Sequence, residues 1–69
     1  MSEIVFLVEE AAEGGFTAKA LGESIITEAN DLAELRSNVR DAVQCHFEIE
    51  AQRPKVIRLH FVRDKVIAT

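Results

Sequence analysis

Neither tryptophan nor tyrosine occurs among the 69 residues, and the four aromatic side chains are all phenylalanine. Such a surface offers few platforms on which bases can stack, which argues against a single-strand nucleic-acid binder. One cysteine excludes an internal disulfide, and nothing else in the composition marks an oxidising compartment. No apolar run approaches the ~18 residues that a membrane-spanning helix requires, and the N-terminus lacks a basic stretch followed by a signal core. A soluble cytoplasmic protein is expected.

What is present is a chain 48% hydrophobic and 29% charged, which suits one globular domain spanning residues 1–69. A domain of ~60 residues buries only about 60% of its unfolded surface, so little stability is left to spare and association is a common remedy. The one stretch with sustained helical periodicity is Asn30 to Glu50. Leu32, Leu35, Val39, Ala42 and Val43 recur at spacings of three and four, forming one stripe on a helix from Asp31 to about Phe47. Asp31 followed three residues later by Glu34 reads as a capping box at its start.

The remaining runs read as strands. Glu3 to Glu9 holds five consecutive apolar residues, and alternation sets Ile4, Phe6 and Val8 on one face against Val5 and Leu7 on the other. Gly14-Gly15 supplies the positive φ angles of a hairpin, so Phe16 to Ala20 and Ser24 to Ala29 complete an antiparallel meander. Pro54 ends the helical region and leads into extended chain. Lys55 to Val62 is then a strand, with Ile57, Leu59 and Phe61 on one face and Val56, Arg58, His60 and Val62 on the other. Arg63-Asp64-Lys65 suits a tight turn, which would let Val66-Ile67-Ala68 return as a short fifth strand. The expected fold is α+β: an antiparallel sheet in the order β-β-β-α-β, one face covered by one helix.

One helix covers one side of a sheet. Val5, Leu7, Val56, Val62 and one of Ile25 and Ile26 should therefore point away from it, exposing more apolar surface than a monomer comfortably carries. That surface, joined by Arg58 and His60, is the expected partner or oligomer interface, served by a homo-oligomer or by a protein laid across the face or added to an edge.

Charge is uneven. Met1 to Leu35 carries eight acids and one base, Arg36 to Glu50 three acids and two bases, and Ala51 to Thr69 one acid and five bases, with a net charge of −4 for the whole. An acidic meander is a poor grip for nucleic acid. Arg58, Arg63, Lys65 and His60 could form a basic stripe, which keeps a small RNA-binding module as an alternative; as lone edge charges they would only deter aggregation. Candidates for chemistry are few. Cys45 and His46 are helical neighbours whose side chains diverge by about 100°, so they do not chelate one metal together. Glu9, Glu10 and Glu13 form a solvated acidic turn, and Gly14-Gly15 belongs to no phosphate loop. No catalytic residue, metal site or cofactor is expected.

Glu13-Gly-Gly-Phe16, a strand, Ser24-Ile-Ile-Thr-Glu-Ala-Asn-Asp-Leu32 and then Leu35-Arg-Ser-Asn-Val-Arg-Asp-Ala-Val43 follow in an order that resembles HicB-type antitoxins. The resemblance covers Ile4 to about Phe47. It implies a truncated ribonuclease H-like domain without the catalytic carboxylates, acting as a non-catalytic module that binds and blocks a small basic toxin that cleaves messenger RNA. Two features depart from the family pattern. The proline-rich loop between the second and third strands is reduced to Ala20-Leu-Gly-Glu23, and a strand rather than a DNA-binding domain follows the helix. The resemblance is to a free-standing HicB-like domain.

Overall fold

The computed structural model describes residues 2–63 and 67–69. Its elements are β1 (Glu3–Glu10), β2 (Phe16–Ala20), β3 (Ile26–Ala29), α1 (Leu32–His46) and β4 (Val56–Val62), with a 3-10 turn at Glu50–Gln52 before β4. The fold is α+β in the expected β-β-β-α-β order. β1 pairs antiparallel with β2, and β2 with β3, so the meander is present. β4 lies on the far side of β1 and runs parallel to it, which makes the sheet mixed, in the order β3-β2-β1-β4. Parity explains the parallel pair: β1 and β3 run the same way, α1 reverses the chain once, and β4 must then run with β1. Asp64 and Lys65 of the turn expected at Arg63-Asp64-Lys65, and the start of the fifth strand at Val66, lie outside the described residues. Ile67 to Thr69 belong to no strand, and Ile67 is 81% exposed.

β1 is central, and its alternation shows why. Ile4, Phe6 and Val8 are buried, while Val5 and Leu7 are half-buried on the opposite face. The hairpin to β2 closes through Ala11 N–H to Gly15 O and Gly14 N–H to Ala11 O, both 3.0 Å. Gly14 and Gly15 take φ of 100° and 83°, as a hairpin here requires. Gly15 has a second reason to be glycine: a Cβ there would lie 2.7 Å from the Ala29 carbonyl oxygen of β3.

Asp31 caps α1, its carboxylate accepting the Glu34 N–H at 2.8 Å. Only this half of the expected capping box is made, because the Glu34 carboxylate turns to the Asn30 side-chain amide at 3.5 Å. At the other end, Arg53 Nε donates to the Phe47 carbonyl at 3.0 Å, so a cation meets the negative end of the helix. Leu35, Val39 and Val43 are the buried stripe; Ala42 is half-buried, and Leu32 stays 44% exposed at the first turn. The stripe closes on Ile4, Phe6, Val8, Ala18, Ala20, Ile25 and Ala29 to form the core. At about 1.5–3 kcal/mol for each large aliphatic or aromatic side chain removed from water, this cluster is the main source of stability.

Candidate functional site

The register settles what lies on the face away from the helix. Val5 pairs with Arg58, Leu7 with His60, Glu9 with Val62 and Glu3 with Val56. On the other flank Leu7 pairs with Lys19, which pairs with Ile26. All six residues anticipated for an interface, Val5, Leu7, Val56, Arg58, His60 and Val62, therefore share the open face. Ile25 is buried against the helix, and Ile26 is the isoleucine that points away, 66% exposed.

This face is more polar than the sequence alone implies. Arg58 Nε donates to the Glu3 carboxylate. That hydrogen bond, and then the carboxylate's negative charge, raise the guanidinium pKa above its ordinary value. Lys19 and His60 flank Leu7 in the register, and Val5 and Leu7 are half-buried.

The bare apolar surface gathers instead along β4 and appears on both its faces. Val56 is 50% exposed and Val62 37% on the open side, and Phe61 is 50% exposed on the helix side. Alternation assigned Phe61 to the helix side correctly, but face is not coverage. The helix lies mainly over β3 and β2, and Phe61 meets Phe16 edge-on, ring centres 6.4 Å apart. Ile57 and Leu59 are half-buried and line a groove of about 220 Å³ against Arg36, Val39 and Arg40 of α1.

β4 is also an edge strand with a free backbone row among the described residues. The Val56 N–H donates to Ser2 O at 3.1 Å, so Val56 turns its peptide groups toward β1, and Arg58, His60 and Val62 do the same by alternation. The N–H and C=O groups of Ile57, Leu59 and Phe61 therefore point outward, away from the sheet.

A second feature lies at the hairpin end of the sheet. An open cleft of about 410 Å³ between the β1–β2 hairpin, β3 and the start of α1 is lined in part by Glu13, Glu28 and Glu34. It brings three carboxylates from three different segments of the chain to one place. His46 is exposed, its Nε2 3.1 Å from a Glu23 carboxylate oxygen, and Cys45 is exposed beside it. Among the described residues no three His, Cys, Asp or Glu side chains are grouped to hold a metal, and no helix is long and apolar enough to cross a membrane.

The chain is similar to a UPF0150 protein from Archaeoglobus fulgidus, 57% identical over 53 residues that make up 77% of each chain. It is also similar to a UPF0150 protein from Thermotoga maritima, 41% identical over 66 residues, which are 96% of this chain and 91% of the relative. No family model matches the chain, and no solved structure matches it. Identity at this level, over nearly the full length of one relative, places this chain in the UPF0150 family.

Proposed function

We propose that the protein is a non-catalytic protein-binding module resembling a HicB-type antitoxin domain, which associates with itself and neutralises a small basic ribonuclease. The observation that carries this reading is the apolar surface of β4, where Val56, Phe61 and Val62 stay 37–50% exposed along an edge strand. Surface of that kind is unfavourable on a free monomer and useful on a binding module. The acidic cleft at Glu13, Glu28 and Glu34 complements it, since carboxylates gathered at one end steer a cationic partner and set its orientation. The RNA-binding alternative draws no comparable support. Arg58, the centre of the basic stripe it requires, is already occupied by Glu3.

The test is an RNA-cleavage assay with a small basic ribonuclease encoded next to this protein's gene. Equimolar protein should suppress cleavage and form a complex on gel filtration, and Glu13→Lys with Glu28→Lys should abolish both while leaving the circular dichroism unchanged. The absence of such a gene, or cleavage that continues undiminished without a complex, contradicts the antitoxin reading.

A further inference from the structure

We infer that β4 pairs antiparallel with β4 of a second copy about a twofold axis at Leu59, joining two four-stranded sheets into one continuous sheet with both helices on the same side. The inference rests on the protein-binding reading above and names the edge, the occupant and the register.

Three observations carry it. The first is the outward row of peptide groups at Ile57, Leu59 and Phe61, which runs along a seven-residue strand paired without interruption to β1 on its other side. β4 has no proline, no bulge against β1 and no charged side chain on its helix side, and its one arginine, Arg58, lies on the open side paired with Glu3. The second is the sequence of the strand, Val56-Ile57-Arg58-Leu59-His60-Phe61-Val62, which reads the same in chemical class from either end. A twofold interface requires a surface complementary to itself, and an antiparallel edge pair requires a strand that matches its own reverse. Centred on Leu59, the pairing sets Ile57 against the second copy's Phe61 and Leu59 against Leu59 as hydrogen-bonded pairs. On the open side it sets Val56 against Val62 and Arg58 against His60.

The third observation is that neighbouring registers fail. The outward peptide groups belong to alternate residues, so the nearest alternative registers move the axis to Arg58 or to His60. An axis at Arg58 sets guanidinium against guanidinium and Phe61 against Lys55. An axis at His60 sets imidazole against imidazole and Ile57 against Arg63. Only the axis at Leu59 leaves every apolar residue of β4 opposite another. It also brings the second copy's Phe61 to the end of the groove lined by Ile57 and Leu59, extending the cover that α1 does not supply. Continuation into a fibre through the other sheet edge is disfavoured. β3 has only four residues, and the outward carbonyl of Glu28 already accepts from Asn38 Nδ2 at 2.9 Å.

The experiment uses the whole chain with Cys45→Ser. Light scattering behind gel filtration should give twice the 7.7 kDa chain mass. Phe61→Pro should halve it, because the N–H it removes points outward and serves only the second copy, while its side chain is half exposed. Register is read by cross-linking. In this pairing Arg58 and His60 of different copies form a non-hydrogen-bonded pair with Cα atoms about 4.5 Å apart, within disulfide reach, whereas two Arg58 positions are diagonal neighbours beyond about 7 Å. A mixture of Arg58→Cys and His60→Cys chains should form a heterodisulfide, and neither variant alone should cross-link. This second readout decides the matter if Phe61→Pro fails to fold. A wild type that stays at one chain mass overturns the inference, as does a dimer that survives Phe61→Pro without the heterodisulfide. In either case the ribonuclease assay above still decides the binding-module reading independently.

Discussion

The two edges of this sheet answer the same physical problem in opposite ways. β3 spans four residues, shows solvent Ile26 and Glu28, and lies beneath a helix whose Asn38 reaches down to the Glu28 carbonyl. β4 spans seven residues, carries exposed apolar side chains on both faces and has an outward backbone row that meets nothing among the described residues. An unpaired edge is a template for another strand, so a protein that blunts one edge and leaves the other bare has a directional surface. Strand-to-strand pairing through such a surface would be confined to one edge. The contrast follows from where one helix can lie. Leu35, Val39 and Val43 anchor α1 in the core it forms with β1, β2 and β3, and the width of one helix leaves the outer part of β4 uncovered.

That contrast can be broken by substitution, and the largest effect should come from beneath the helix. Leu35 is fully buried, so Leu35→Ala should cost about 2–5 kcal/mol in chemical denaturation, a large share of the stability of a domain this size. Phe61→Ala, which removes the larger side chain, should cost the isolated monomer less than about 1 kcal/mol because half of that side chain already faces water. Equal losses would mean that β4 is covered as well as β3. A smaller effect is expected at the blunted edge. Asn38→Ala should cost about 0.5–1.5 kcal/mol by removing the hydrogen bond to the Glu28 carbonyl. It should also free that edge, so slow, concentration-dependent growth beyond a dimer in light scattering is the expected accompaniment. An Asn38→Ala chain with wild-type stability and mass would show that the hydrogen bond does not protect β3.

Local chemistry made much of this architecture legible. Asp31 marked the start of α1, the three-and-four spacing of Leu35, Val39 and Val43 marked its buried side, and Gly14-Gly15 marked the hairpin. Each of these signals acts over a few residues. Which strand neighbours which is set by contacts between distant segments, and the position of β4 outside β1 was not contained in either strand's own pattern. For the same reason alternation gave Phe61 its face but not its exposure. The six residues Val5, Leu7, Val56, Arg58, His60 and Val62 do share one face, but Arg58 pairs with Glu3 and Leu7 lies between Lys19 and His60, so its centre is polar. The reversed symmetry of Val56 to Val62 was readable from the start. It gained meaning only when β4 proved to be an edge, because a palindromic strand in the middle of a sheet has no free side on which to meet its copy.

Residue-resolved amide hydrogen exchange, measured by NMR at high and at low protein concentration, addresses the bare edge most directly. The amides of Ile57, Leu59 and Phe61 should be protected at high concentration and become fast-exchanging on dilution. Those of Arg58 and His60, turned toward β1, should stay protected at both concentrations, and the outward amide of Ile26 on β3 should exchange fast at both. If Ile57, Leu59 and Phe61 exchange fast while light scattering shows an intact dimer, β4 is not the surface on which this protein assembles.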